Sequence, residues 1–185
     1  MTGADALPPQ VGRTVVITGA NSGIGLRSAE LLAARGARVV LACRDEHRGE
    51  AALERVRAQA TAAEPELVRL DLAALASVRE AAAEISERVP ALDVLMNNAG
   101  VMALPPTRSA DGFEAHLAVN HLGHFALTLR LLPTLLAAPA PRVVTTASHG
   151  HWTGRMRRDA PSLSPISAIE ATSPTAFPRP SSAPA

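Results

Sequence analysis

From Arg13 to about Ser148, short β-branched runs alternate with longer stretches rich in Ala, Leu, Glu and Arg. The short runs are Thr14 to Thr18, Ala37 to Cys43, Leu67 to Leu70, Leu92 to Met96 and Arg142 to Thr146. They are apolar without strict alternation, the pattern of parallel strands buried on both faces. The stretches between them read as helices. In the clearest one, Leu75, Val78, Ala82, Ile85 and Val89 make a single apolar stripe, and Val89-Pro90 ends it, because Pro disfavours helical geometry in the residue before it. Helices are also expected over Leu26 to Arg35 and Gly112 to Leu136. Repeated strand–helix alternation predicts an α/β fold: a doubly wound parallel sheet with right-handed crossovers and five strands present.

The pattern stops near residue 158. Asp159 to Ala185 is rich in Pro, Ser and Ala, and Pro161, Pro165, Pro174, Pro178, Pro180 and Pro184 would interrupt any helix or ladder. Disorder is expected there. Residues 1–11 read as an N-terminal extension and 12–158 as the folded domain.

Composition narrows the function classes. The 185 residues carry 18 basic side chains, all Arg, against 17 acidic ones, and contain neither Lys nor Tyr. A Lys Schiff base, a P-loop Lys and a Tyr general acid are therefore excluded for this chain alone. A net charge of +1 with scattered Arg argues against a nucleic-acid surface. The single Cys, Cys43, fits a reducing compartment, and the first ten residues lack the apolar core of a signal peptide. Arg130 and Pro133 interrupt the longest apolar candidate for a membrane span. A cytoplasmic location is the expectation.

The first strand runs into Thr18-Gly19-Ala20-Asn21-Ser22-Gly23-Ile24-Gly25 and then a helix. This is the chemistry of a phosphate cradle. Gly19 permits a tight turn, Gly23 lets a pyrophosphate approach the backbone, and Gly25 lets the helix pack closely. The helix start offers unpaired N–H groups and partial positive charge. The spacing is G-x-x-x-G-x-G, so the plain dinucleotide fingerprint is not matched. At the end of the second strand, Arg44 offers a fork of donors suited to a 2′-phosphate, where an acidic residue would instead read a 2′-hydroxyl. The alternative is a solvated Arg at a helix start, with Asp45 as the N-cap. Asp71-Leu72 after the third strand and Asn97-Asn98-Ala99-Gly100 after the fourth face the same crevice, although each is also ordinary turn material.

These segments, with Val119-Asn120, stand in the order and spacing of the short-chain dehydrogenase/reductase family, and the chain resembles it over about residues 12–158. The finer pattern resembles the retinol-dehydrogenase-like branch through Ala42-Cys43-Arg44-Asp45, Asn98-Ala-Gly-Val-Met102, Asp111-Gly-Phe-Glu114 and Asn120-His-Leu-Gly-His-Phe125. The resemblance implies a Rossmann-like fold and hydride transfer between a nicotinamide and an alcohol or carbonyl. It also implies NADP(H) in preference to NAD(H), in agreement with Arg44. The implied cofactor contacts are Gly19, Asn21, Ser22, Gly23, Ile24, Gly25, Arg44, Asp71, Leu72, Asn98, Ala99, Gly100 and Asn120. The implied partner is a small alcohol or carbonyl substrate, with homo-oligomerisation left open for a full-length parent.

Family members divide the chemistry among four residues. Asn120 matches the Asn that kinks a helix and helps hold a water in a proton relay. Ser148 matches the Ser that orients the substrate oxygen, with Ala147 where the family commonly has another Ser. The remaining two form a Tyr-x-x-x-Lys pair. A phenol titrates near about 10 and becomes a useful base only when an ammonium stabilises its phenolate. This sequence has neither residue, and the resemblance ends near Arg157-Arg158, where the pair is due. The chain is thus expected to be a truncated or frame-shifted relative, inactive as written, with the fifth strand left as an uncovered edge. The alternative is a non-enzymatic NADP(H)-binding or interaction module. His149 or His151 beside Ser148 suggests a hydrolase only weakly, since no orienting group is recognisable. His116, His121 and His124 are not expected to bind metal, although 121 and 124 fall on one face of a regular helix.

Overall fold

The computed structural model describes residues 7–102 and 104–148. The Pro/Ser/Ala-rich tail, His149, His151 and the end of the family resemblance lie outside the described residues.

The strands are β1 (Thr14–Thr18), β2 (Arg38–Cys43), β3 (Glu66–Arg69), β4 (Val94–Asn97) and β5 (Arg142–Thr145). They form one parallel sheet in the order β3-β2-β1-β4-β5. This is the doubly wound Rossmann-like arrangement, with β1 central and the chain reversing its winding between β1 and β4. Every expected strand is present, with ends shifted by one or two residues. Leu92 falls outside β4 because its N–H bonds the Thr134 carbonyl at 3.0 Å and not a neighbouring strand.

The helices are α1 (Gly23–Ala34), α2 (Glu46–Arg57), α3 (Leu75–Arg88), α4 (Ala115–Leu117), a π turn (Ala118–Leu122), α5 (Gly123–Arg130) and α6 (Leu132–Leu136). They cover β1 to β4 on both faces. Side chains alternate along β1, so Val15 and Ile17 join the core under α1 and α2, while Val16 joins the core under α3 and α5. Ile17, Leu41, Ile85, Leu95 and Leu127 are fully buried, each worth about 1.5–3 kcal/mol of transfer free energy.

Helix α3 buries the expected stripe through Val78, Ala82 and Ile85, and Val89 turns extended ahead of Pro90. Its N-cap, Ala74, has no side-chain acceptor. Asp111 supplies one from a distant loop, accepting from the Leu75 N–H at 2.8 Å.

Two helix boundaries differ from the sequence expectation. Helix α1 starts at Gly23, not Leu26, because the Leu26 N–H already closes a helical turn on the Ser22 carbonyl at 3.1 Å. The stretch 112–136 is not one continuous helix. Gly112 has φ +83°, the helix begins only at Ala115, and a π turn and a break at Leu131 divide the rest. Glu114 caps the start, its carboxylate accepting from the N–H groups of His116 and Leu117. Strand β5 is exposed along its length, with Val143 and Val144 each over two-fifths exposed. Among the described residues, no helix is long and apolar enough to cross a membrane.

Candidate cofactor and active site

In a doubly wound sheet the ligand crevice opens beyond the carboxyl ends of the strands where the winding reverses. The residues singled out in the sequence converge on that edge. Gly19 to Gly25 follow β1, Arg44 follows β2, Asp71-Leu72 follow β3, Asn98 to Gly100 follow β4, and Ser148 lies just past β5. Asn120 comes from the π turn and faces the β4 loop.

The glycine loop is shaped by close approach. Gly19 has φ +65°, and a β-carbon there would lie 2.9 Å from the Ala99 Cα. A β-carbon on Gly25 would lie 2.5 Å from both the Gly19 carbonyl oxygen and the Asn98 amide nitrogen. Gly25 therefore packs against the loop and the β4 turn more than against the sheet itself. Gly23, at φ +54°, has nothing within 4 Å of where a β-carbon would stand. Ser22 is the N-cap of α1 but makes no side-chain cap bond, and the first turn holds no acidic residue. The first-turn N–H groups and the positive end of the helix dipole are thus left for an anion. Asn21 and Ser22 line a cavity of about 260 Å³ with Leu26, Arg48 and Arg55.

At the end of β2, Asp45 is committed to α2, accepting from the Arg48 N–H at 3.0 Å. Arg44 is exposed and has no ion pair among the described residues. Cys43, just before it, is buried. Burial pushes its thiol up to about 11, against the opposing pull of the Ala20 and Asn21 N–H groups of the glycine loop. Asp71 accepts from the Ala73 N–H at 2.9 Å. Leu72 is buried, and its carbonyl sits so close to α5 that a β-carbon on Gly123 would meet it at 2.4 Å.

Asn120 is held by two complementary bonds to the backbone of one residue: its amide oxygen accepts from the Val101 N–H at 2.8 Å, and its amide nitrogen donates to the Val101 carbonyl at 2.9 Å. This fixes the side-chain amide and ties the π turn to the Asn98-Ala99-Gly100 loop. Ser148 is exposed. His121 and His124 do not share a face, since the π turn rotates the helix between them. His124 is buried and His121 is exposed, stacked on Phe125 with ring centroids 6.3 Å apart.

Three buried groups at this edge carry no role in the sequence pattern. Thr18 accepts at its hydroxyl from the Asn98 and Ala99 N–H groups, both at 2.9 Å, and lies 2.9 Å from His124 Nε2. Asn97 donates to the Thr128 hydroxyl at 3.0 Å, while its amide oxygen is buried with no partner among the described residues. No spacing rule marks these contacts, because they join positions 31 to 106 residues apart.

A model of the short chain dehydrogenase family matches residues 13–158. The chain belongs to that family. The relatives it matches place it in the retinol-dehydrogenase-like branch. Retinol dehydrogenase 12 of Bos taurus is 47% identical over 146 residues, covering 79% of this chain and 46% of the relative. Polyprenol dehydrogenase of Mus musculus is 48% identical over 152 residues, covering 80% and 45%. The chain spans about half the length of these curated relatives. Among solved structures, an uncharacterized protein from Mycobacterium paratuberculosis superposes with TM-score 0.77 at 46% identity, covering 91% of this chain and 59% of that one. A protein described as a short chain dehydrogenase from Escherichia coli CFT073, complexed with NADPH, superposes with TM-score 0.68 at 29% identity, covering 78% and 62%.

The family binds nicotinamide dinucleotides, and the residues here suit such a group. The open space over Gly23, the start of α1 without a side-chain cap and the exposed Arg44, which has no ion pair among the described residues, leave donors where phosphates would lie, and the small residues Ala99 and Gly100 flank the same crevice.

Proposed function

We propose that residues 12–158 are the cofactor-binding domain of an NADP(H)-dependent short-chain oxidoreductase that interconverts an alcohol and a carbonyl. The observation that carries this reading is the division of labour after β2: Asp45 is spent on capping α2, and Arg44 is left as an exposed cation without an ion pair among the described residues. A guanidinium at that place reads a 2′-phosphate, whereas a free carboxylate would read a 2′-hydroxyl. The NADPH complex of the E. coli neighbour supports the same preference. When bound, the cofactor supplies the hydride donor or acceptor.

In this proposal the chain's own residues bind and orient. The N–H groups at the start of α1, with Ser22, hold the pyrophosphate. Asp71 accepts from the adenine, and Asn98 to Gly100 admit the nicotinamide-side ribose. Asn120 holds a water, and Ser148 donates to the substrate oxygen. Lipophilic alcohols, such as those named in the retinol and polyprenol dehydrogenase relatives, are the proposed substrate class.

Calorimetric titration of the purified chain with NADPH and NADH tests the reading. NADPH is expected to bind at least ten-fold more tightly. Arg44→Ala is expected to remove that difference, since a charge-assisted hydrogen bond contributes about 1.5–3 kcal/mol. Equal affinities in the unsubstituted chain would overturn it.

The absence of Tyr and Lys from the 185 residues favours a second reading for this chain in isolation, that of an NADP(H)-binding module without turnover. No phenol is available to pass a proton to the carbonyl oxygen. NADPH binding without NADPH oxidation, across a panel of aldehydes, is the expected result. Sustained oxidation by pure chain would refute it.

A further inference from the structure

The buried polar knot beneath the crevice has a definite protonation pattern. Thr18 has one hydroxyl hydrogen and two acceptor lone pairs. The Asn98 and Ala99 N–H groups, both at 2.9 Å, can only donate, so they take both lone pairs. The hydroxyl hydrogen then has two candidate acceptors, the Met96 carbonyl at 3.4 Å and His124 Nε2 at 2.9 Å. The shorter contact wins, and it requires a bare Nε2. His124 is therefore neutral with its proton on Nδ1. An imidazolium would put a second N–H against a hydroxyl with no free lone pair. One buried ring thus ties the turns after β1 and β4 to the start of α5, directly behind the π turn that carries Asn120. A parallel tie reinforces it: Asn97 donates to the Thr128 hydroxyl at 3.0 Å, which donates to the His124 carbonyl at 2.8 Å.

We propose that His124, as the neutral Nδ1–H tautomer, is a positioning residue that locks the Asn98-Ala99 turn and the Asn120 π turn into one rigid cofactor-side platform through the Thr18 hydroxyl. The link to cofactor rests on the function proposed above, but the link between the two turns does not.

The surroundings make the ring responsive to acid. Burial lowers the His124 pKa, the Asn120 and Val119 carbonyls pull the other way, and the charge of His121 lowers it further. From the end of β1 the ring meets the Thr18 hydroxyl, whose other partners are the Met96 carbonyl and the Asn98 and Ala99 N–H groups, none titratable. Helix α3 packs on α5, and the residues it buries, Val78, Ala81, Ala82 and Ile85, are apolar. A folded-state pKa below the ordinary value means that the stabilisation is complete above the ordinary imidazole range. It is lost as pH falls from there through the lower folded value.

The test uses the whole 185-residue chain without ligand, then with NADP⁺. Long-range ¹⁵N spectra of the imidazole read the tautomer, and amide exchange reads protection at Asn98 and Ala99, with Val39 and Val40 as internal standards. His124→Phe is expected to lower protection at Asn98 and Ala99 at least ten-fold at neutral pH while the standards hold, and to weaken NADP⁺ at least five-fold. His124→Gln, whose amide oxygen can accept from Thr18, is expected to restore most of the protection and to abolish its decline below the imidazole range. An Nε2–H tautomer in the native chain, unchanged protection in His124→Phe, or the native acid decline persisting in His124→Gln would each overturn the proposal. Should His124→Phe not fold, the tautomer spectrum and the His124→Gln profile decide alone. Should the unsubstituted chain show the expected protection but bind no NADP⁺, the platform stands and the cofactor function falls.

Discussion

Gly25 and Asn98 meet at a point where no β-carbon fits: one placed on Gly25 would lie 2.5 Å from the Asn98 amide nitrogen, which itself donates to the Thr18 carbonyl at 3.1 Å. The third glycine of the loop thus admits the amide that holds the β4 turn against the end of β1. Gly25→Ala must displace either that amide or the Gly19 carbonyl. A loss of about 1–3 kcal/mol in urea unfolding is expected, the usual cost of overpacking, together with at least ten-fold weaker NADPH binding. Native-like values on both counts would show that the helix can retreat without harm.

Gly123 and Gly100 offer a matched comparison. A β-carbon on Gly123 would press on the Leu72 carbonyl at 2.4 Å and the Leu72 β-carbon at 2.9 Å, whereas one on Gly100 would meet only Asn120 Oδ1 at 3.5 Å, an ordinary contact. Gly123→Ala is expected to cost about 1–3 kcal/mol in the same unfolding measurement. Gly100→Ala is expected to leave stability within about 0.5 kcal/mol.

Glu114 gives a pH-dependent cap. Burial pushes its pKa up, but the His116 and Leu117 N–H groups and the His116 imidazole outweigh this, and the net shift is downward. A carboxylate with a depressed folded pKa stabilises fully above its unfolded value and loses that contribution as pH falls through the folded one. Glu114→Ala is therefore expected to cost about 1 kcal/mol at pH 7, typical of a lost cap. The difference from the unsubstituted chain should shrink steadily in unfolding curves taken below about pH 4, the ordinary carboxylate range.

Cys43 tests burial under the glycine loop. With its thiol held up at about 11, almost no thiolate is present at pH 8. A chromogenic disulfide reagent is expected to leave the native chain unmodified on the timescale of minutes and to react with one equivalent on addition of guanidinium chloride. Prompt native labelling would mean that the loop opens readily.

The sheet and the crevice were legible because their signals are local. Unbroken apolar runs such as Thr14 to Thr18 have one stable use, as strands covered on both faces, and the glycine loop follows at once. Asp111-Gly-Phe-Glu114 illustrates the opposite case. Its residues are recognisable as a motif, yet what they do depends on distant partners. Asp111 caps α3 from 36 residues away, and Gly112 turns the backbone so that Glu114 can cap α4. Glu is not a favoured N-cap residue, so the start of that helix is misplaced by pattern alone. His124 is the sharper example. At regular helical spacing it would share a face with His121; the π turn at Asn120, the residue matched to the family's helix-kinking Asn, sends it inward to Thr18, a partner that no local pattern marks.

The placement of β1 between β2 and β4 also governs the order in which the sheet can be built. Its pairing with β2 closes a loop of moderate length through α1, with Thr14 opposite Arg38. Its pairing with β4 joins Val15 to Val94, and the Thr14 N–H is bonded to the Asp93 carboxylate 79 residues away. Loop-closure entropy grows only slowly with length, yet it must be met before any of these contacts forms. Assembly of the crevice is therefore a late event: on the ribosome the β1–α1–β2 unit can form while the β4 turn has still to emerge. Joining the two halves is then the step expected to limit folding, in the slower range of parallel sheets with distant partners.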